Sequence, residues 1–213
     1  MKTKCRGQAM PDFTFEHTCT PPVAGVDEAG RGPWAGPVVA AAVILPMGVL
    51  DPYLLTGLDD SKKLKKGIRE DLLAALEPVA DIGVGVASPT EIDDINILQA
   101  TMLAMQRAVD GLSETPVSVL VDGNRAPSIA SEVTTIVKGD SLSLSIAAAS
   151  IVAKVTRDRM MAVLAEQYPG YGWERNAGYG TKEHKEALAR LGVTPAHRQS
   201  FAPIRAAATR YSE

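Results

Sequence analysis

Apolar and polar positions follow two different periods along this chain. Short runs rich in Val, Ile and Ala occur at Val23 to Asp27, Val38 to Leu45, Ile82 to Ala87, Val117 to Val121 and Val133 to Val137. Their length and β-branched content predict strands. Val117 to Val121 is apolar except for Ser118, the pattern of a strand covered on both faces. Between these runs the apolar residues recur three and four apart. One such segment, about Leu64 to Leu76, ends before Pro78 and has Asp59, Asp60 and Ser61 ahead of it as N-cap candidates. Another opens at Thr90 and Glu91, and its main part, about Asn96 to Val109, puts Ile97, Thr101, Ala104, Met105 and Ala108 on one face before stopping at Gly111. A long helix is predicted from about Leu142 to Gln167, its small residues Ala147, Ala148, Ala149, Ser150 and Ala153 suited to close packing on a sheet. A Gly/Tyr-rich loop, 168–180, leads to a last amphipathic helix from about Lys182 to Leu191.

The first two strands flank a Gly/Pro-rich turn, Gly30 to Pro37, which suggests a hairpin-like start. Strands first, then strand and helix in alternation, predict an α/β domain with a mixed sheet and helices on both faces. The length of 213 residues fits one such domain. Residues 1–21 are polar, end in Pro21-Pro22 and read as an extended lead-in. The body spans 22–167, and 168–213 form a loop and helical extension.

Composition narrows the classes. With 46% hydrophobic and 22% charged residues, the chain can bury a core, which excludes disorder and disulfide scaffolds. The longest strictly apolar run has eight residues, far short of the ~20 that span a bilayer. Lys2, Lys4 and Arg6 are followed by no apolar stretch, so no secretory leader and a cytoplasmic location are expected. Cys5 and Cys19 are then free thiols and spectators. With His17 they offer only a partial zinc site, at a spacing that matches no common finger.

A net charge of −3 argues against a nucleic-acid partner until its distribution is considered. Residues 1–137 carry 11 Lys and Arg against 18 Asp and Glu, whereas residues 138–213 carry 11 against 7. The acidic body thus has a basic end. Within that body Lys62, Lys63, Lys65, Lys66 and Arg69 also cluster.

The acids that could carry chemistry are Asp27 and Glu28 at the end of the first strand, Asp122 at the end of the fourth, and Asp140 ahead of the long helix. In open α/β sheets, ligands bind beyond the strand ends. Regular alternation would send Asp27 and Glu28 to opposite faces, so Glu28 joins Asp27 only if the strand breaks there, as Ala29-Gly30-Arg31-Gly32-Pro33 allows. Two carboxylates about 4 Å apart repel by about 4 kcal/mol at an effective dielectric of ~20, so a cluster must hold protons or a cation. An all-oxygen donor set suits Mg²⁺ or Mn²⁺ rather than zinc. Read singly, each acid is more readily a turn or capping residue, since Asp122-Gly123-Asn124 is a common turn and Asp140 could cap its helix.

Longer blocks favour the first reading. Val26-Asp27-Glu28-Ala29-Gly30-Arg31-Gly32-Pro33-Trp34-Ala35-Gly36-Pro37-Val38 resembles the opening signature of bacterial ribonuclease HII. Leu58 to Leu64, Val121 to Asn124, Lys138 to Asp140, Ile146 to Asp158, Gly178 to His184 and His197 to Phe201 resemble its later blocks in the same order, covering about residues 22–205. The resemblance implies an RNase H-like fold with a helical C-terminal extension. It implies an endonuclease acting on RNA in RNA/DNA hybrids and on single ribonucleotides in duplex DNA, leaving 3′-hydroxyl and 5′-phosphate ends. It places an acidic tetrad on Asp27, Glu28, Asp122 and Asp140, which with the scissile phosphate would hold two divalent ions, Mn²⁺ or Mg²⁺.

The same resemblance assigns Gly30, Arg31 and Gly32 to reading the ribose 2′-hydroxyl, Tyr179 to the sugar on the 3′ side of the cut, and Lys62 to a phosphate. A monomer without a membrane partner is expected. Otherwise Gly30 to Gly32 is a tight turn. It is not a dinucleotide fingerprint, because Pro33, Gly36 and Pro37 lead into a strand and not a helix. Tyr168, Tyr171 and Trp173 read as packing beneath the long loop. His184 reads as either a helix-surface residue or a neighbour of the site, and His197 and Arg198 as structural or peripheral. Ribonuclease HIII, another RNase H-like DNA nuclease, a non-catalytic hybrid-binding module and a small-molecule phosphatase are the alternatives. The 21-residue lead-in is too short for the extra N-terminal domain of the first, and Gly30–Gly32 with Tyr179 would be without purpose in the second.

Overall fold

The computed structural model describes residues 10–210. Five strands form one mixed sheet: β1 (Val23–Ala29), β2 (Val38–Ile44), β3 (Asp81–Ala87), β4 (Ser118–Asp122) and β5 (Glu132–Ile136), in the order β3-β2-β1-β4-β5. β1, β2 and β3 pair antiparallel, whereas β4 and β5 add on parallel to β1. The expected antiparallel opening and mixed sheet are both present.

Period-two alternation in β2 divides the core. Val38, Ala40 and Ala42 pack with Ala24, Val26 and Val121 under α3 (Pro89–Asp110), while Ala41 and Val43 pack with α4 (Leu144–Gln167) on the opposite face. Ala147, Ala148 and Ala149 let α4 come close. A Cβ placed on Gly25 would lie 2.1 Å from the carbonyl carbon of Ser145, so β1 tolerates only glycine where α4 begins. α3 is two helical pieces joined at Asn96, whose positive φ of 67° breaks the ladder while its side chain accepts from the N–H groups of Leu98 and Gln99. The second piece is the one predicted from Asn96 onward.

Three sequence expectations need correction. Asp59, Asp60 and Ser61 do not cap α2 (Lys66–Leu76), whose N-cap Lys65 makes no side-chain bond. Asp59 and Asp60 instead accept the N–H groups of Asp60 and Lys62, holding a turn beside the acids. A six-residue helix, α1 (Pro52–Gly57), was not predicted. Asp51 caps it, accepting from Tyr53 N–H at 2.7 Å. In the lead-in, Glu16–Thr18 form a turn of 3-10 helix rather than extended chain. Glu16 is buried there, and its Oε1 accepts from Ser143 Oγ, Ser145 Oγ and Ser145 N–H at the start of α4.

Beyond α4, α6 (Lys182–Leu191) is where it was expected but is not the last helix, since α7 (Ala202–Arg210) follows it and a four-residue α5 (Trp173–Asn176) interrupts the preceding loop; they enclose a separate cluster of Tyr171, Trp173, Leu188, Ala196 and Ile204. Cys5 lies outside the described residues, so the partial zinc site cannot be placed. Among the described residues no helix is long and apolar enough to cross a membrane.

Candidate active site

Strand register builds the centre of the site. Val26 pairs with Val121 across the parallel β1/β4 ladder, so the next residues, Asp27 and Asp122, emerge side by side as the ladder ends. Asp140 arrives from a 3-10 turn, Gly139–Ser141, which is tied in place by Gly139 N–H donating to Asp122 Oδ1 at 2.7 Å. One carboxylate oxygen from each of Asp27, Asp122 and Asp140 lies within 4.8 Å of the others. Asp140 does not cap α4. Ser143 does, accepting from Ile146 N–H.

Glu28 stands apart from this trio. β1 does not break at Glu28 but remains paired through Ala29, and Glu28 forms an ion pair with Arg31 at 3.3 Å. It still lines the same cavity of about 250 Å³, together with Gly30, Gly32, Lys62 and Tyr179. The structure thus lines one cavity with every sequence-predicted site residue except Asp140, which joins at its edge by clustering tightly with Asp27 and Asp122. A larger apolar groove of about 450 Å³, bounded by Val86, Met160 and Tyr168, shares no lining residue with it and has no carboxylate. Chemistry, not size, marks the site.

The electrostatics are those of an incomplete site. Burial, reinforced by the charges of Glu28 and Asp122, pushes the Asp27 carboxyl well above the ordinary range. Burial also raises Glu28, against the pull of Arg31, and raises Asp140, with Asp60 and Asp122 adding to the effect and Lys62 opposing it. Lys62 Nζ lies 3.6 Å from Asp140 and 3.7 Å from Asp60. Burial alone would lower its pKa, but Asp60, Asp27 and Asp140 outweigh that and raise it. Among the described residues Lys62 is the one cation ion-paired to the Asp27, Asp122 and Asp140 trio, and with its side chain 77% exposed its ammonium is screened. Such a donor set, all carboxylate and short of positive charge, fits a divalent metal ion.

Residues that sequence reasoning passed over complete the walls. Ser150, Lys154 and Arg157 on α4 line the cavity, and Ser150 Oγ donates to Ser61 Oγ at 2.8 Å. Their spacing of four and three along α4 puts them on one face of the helix, a signal legible in the sequence. Lys154 is partly neutralised by Asp158 at 2.7 Å.

Around Tyr179 the packing is dense. Tyr171 and Trp173 are buried, as expected, while Tyr179 is 48% exposed. A Cβ on Gly32 would lie 3.5 Å from Tyr179 Cε1, so the glycine turn and the tyrosine ring face each other. His184 is fully buried and not on the helix surface. Its Nδ1 lies 3.0 Å from the Tyr179 carbonyl, which requires that nitrogen to be the donor. Its Nε2 then accepts from Trp173 Nε1–H and from His197 Nε2–H, while His197 Nδ1 accepts from Thr194 N–H. Both imidazoles are neutral in this chain of bonds. Burial lowers both pKa values, that of His197 to about 4.

An RNase H-like sheet with carboxylates at the ends of its central parallel strands defines an endonuclease of the ribonuclease H class. The family model described as Ribonuclease HII matches residues 24–204. A ribonuclease HII of Rhodospirillum rubrum is 60% identical over 203 residues, covering 94% of this chain and 93% of that protein. One from Paramagnetospirillum magneticum is 59% identical, covering 92% and 97%. The chain belongs to the ribonuclease HII family. Among solved structures, the ribonuclease H2 of Pyrococcus horikoshii OT3 superposes with a TM-score of 0.75 at 29% identity, covering 90% of this chain and 99% of that one. The fold is shared further with Bst-RNase HIII, solved in complex with Mn²⁺, at a TM-score of 0.73 and 22% identity, covering 88% of this chain and 70% of that one.

Proposed function

We propose that this endoribonuclease hydrolyses the RNA strand of RNA/DNA hybrids and nicks on the 5′ side of single ribonucleotides embedded in duplex DNA, leaving 3′-hydroxyl and 5′-phosphate ends. The observation that carries this reading is the meeting, in one cavity, of Asp27 and Asp122, clustered with Asp140, with the Gly30–Gly32 turn and the exposed ring of Tyr179. Asp27, Asp122 and Asp140 would hold divalent metal, Mn²⁺ or Mg²⁺, with Glu28 contributing from the wall of the same cavity. Bound there, two such ions supply a water activated for in-line attack and charge stabilisation for the leaving 3′ oxygen.

The chain's own residues do the selecting. Backbone groups of Gly30, Arg31 and Gly32 reach the 2′-hydroxyl, the feature that separates RNA from DNA at one nucleotide. Tyr179 packs its face on the sugar of the 3′ neighbour, and its half-exposed ring is free to do so. Lys62 contacts a phosphate, its ammonium already poised over the acids. No histidine takes part in the proton transfers, since His184 and His197 are committed to each other and to backbone. The protein works as a monomer in the cytoplasm.

Matched duplexes containing zero, one or four ribonucleotides test this directly. With Mn²⁺ or Mg²⁺ the protein should cut the second and third and spare the first. Equal cleavage of the all-DNA duplex would overturn the reading.

A further inference from the structure

Two buried arginines stand out because neither has an acidic partner. Arg157 on α4 and Arg198 in the extension are 1% and 0% exposed, and among the described residues neither forms an ion pair. Their donors go to main-chain carbonyls, with Arg157 Nη2 also reaching Met161 Sδ at 3.6 Å. Arg198 Nη2 donates to Gly30 O and Pro37 O, Nη1 to Arg31 O at 2.9 Å, and Nε to Gly36 O at 2.9 Å. Arg157 Nε donates to Pro37 O at 2.9 Å, Nη2 to Ala35 O at 3.2 Å and Nη1 to Ala177 O at 3.0 Å. Together they grip both ends of the turn from Gly30 to Pro37 and the residue two before Tyr179. Main-chain bonds lace the same parts together, Trp34 N–H to Gly178 O, Arg198 N–H to Trp34 O and Gly36 N–H to Ala196 O, each at 2.8 Å.

From this geometry we infer that Arg157 and Arg198 are positioning residues for sugar selection, setting the separation between the Gly30–Gly32 backbone and Tyr179. A buried cation without a counter-ion is costly, and stabilising a turn does not require one. A guanidinium, though, is a planar fork with five donors, and its charge-assisted bonds fix several carbonyls at once in one rigid plane. Turning the carbonyls of Gly30 and Arg31 toward the interior leaves the remaining backbone polarity of the turn for the cavity. Gly30 belongs to the same device. With φ of 97° and a built Cβ only 1.9 Å from Arg157 Nε, it is glycine because it lies against this guanidinium as well as for its approach to substrate.

The inference rests on the assignment of Gly30–Gly32 and Tyr179 to sugar reading, and one experiment separates the two. In an Asp122→Asn background, expected to bind without cutting, fluorescence anisotropy in Mg²⁺ compares a duplex carrying one ribonucleotide with its all-DNA counterpart. If that parent shows no preference for the ribonucleotide, the sugar-reading assignment fails and the inference with it. If the parent prefers it, adding Arg198→Lys should reduce the preference at least fivefold while leaving affinity for all-DNA duplex within twofold. An unchanged preference, or an equal loss of affinity for both duplexes, overturns the positioning role alone. Should Arg198→Lys not fold by circular dichroism, Arg157→Lys reads the same quantity from the α4 side. On the unsubstituted arginines, the Nε–H resonances of 157 and 198 should shift on adding ribonucleotide duplex and stay put with all-DNA duplex. Identical responses to the two would also overturn it.

Discussion

At the ends of β1 and β4, Asp27, Asp122 and Asp140 crowd within 4.8 Å, and the cation beside them, Lys62, is mostly exposed. Under the C-terminal extension, Arg157, Arg198, His184 and His197 are buried just as deeply, yet none of their polar atoms lacks a partner. The first region holds like charges that the protein itself does not neutralise. The second holds cations and imidazoles in which every nitrogen has a partner. Electrostatic strain is stored where a ligand can relieve it, and the surroundings are satisfied so that they do not move when it does.

The comparison breaks most visibly at the acids. Asp122→Asn should cut the cleavage rate by at least about a hundredfold, the scale of losing one preorganised electrostatic group, while duplex binding survives. The same logic gives an opposite effect on stability. In EDTA, Asp27→Asn removes a buried carboxyl repelled by Glu28 and Asp122 and should raise the melting temperature by about 2–4 °C, the shift that ~1 kcal/mol produces in a domain of this size. A lower melting temperature in EDTA would mean the cluster is not strained. Tyr179 joins the two regions, its carbonyl held by His184 and its ring in the cavity. Tyr179→Ala should cost about tenfold or more in kcat/KM on a single-ribonucleotide duplex, as the loss of an aromatic stacking face does. No loss would place that ring outside the substrate path.

How much of this was legible beforehand follows the same division. The strands, α3, α4 and α6 announced themselves through period and β-branched content, and the four acids through strand ends and family blocks. Glu28's separation from the trio was foreseeable from strand alternation alone, once β1 proved to continue through Ala29. The satisfied region was much less visible. Arg157 and Arg198 bond to carbonyls, which every residue carries, so no sequence pattern reveals the pairing. His184 and His197 meet only after α6 folds back, 13 residues apart in the chain. α1 escaped because six residues hold too few turns for a period. Asp59–Ser61 misled because an aspartate that closes a turn reads like one that caps a helix.

Acid should separate the regions by sign. His197 is held neutral, its pKa lowered from 6.5 to about 4 by burial and by His184. Between those values the unfolded chain binds the proton and the folded one does not, so this stability is complete above about 6.5 and is lost as pH falls toward 4, about 3 kcal/mol in all. Asp27 runs the other way. Its folded pKa is raised, so its contribution is fullest at low pH and is lost as pH rises through that raised value. Urea unfolding of wild type and His197→Gln at pH 7.5 and 5 isolates the histidine part, because the glutamine amide can accept from Thr194 and donate to His184 without titrating. The variant should lose less stability on acidification. Equal losses would show that the imidazole is not what the buried region protects.

The smallest effect tests whether the satisfied pattern extends to the lead-in. Glu16 Oε1 gathers three donors at the start of α4 although its buried Oε2 has none, and Asp12 bridges Ser143 beside the turn that carries Asp140. A carboxylate at a helix N-terminus gains from the dipole as well as from charge-assisted bonds. Glu16→Gln keeps an acceptor and removes the charge, so it should cost about 1 kcal/mol in urea unfolding. Because the loss falls on the segment that fixes Asp140 rather than on Asp140 itself, the Mg²⁺ concentration giving half-maximal cleavage should rise modestly, with the saturated rate little changed. A variant as stable as wild type would mean that the lead-in merely lies against α4. An unchanged metal requirement alongside a clear loss of stability would mean that it braces the helix without bracing the acid.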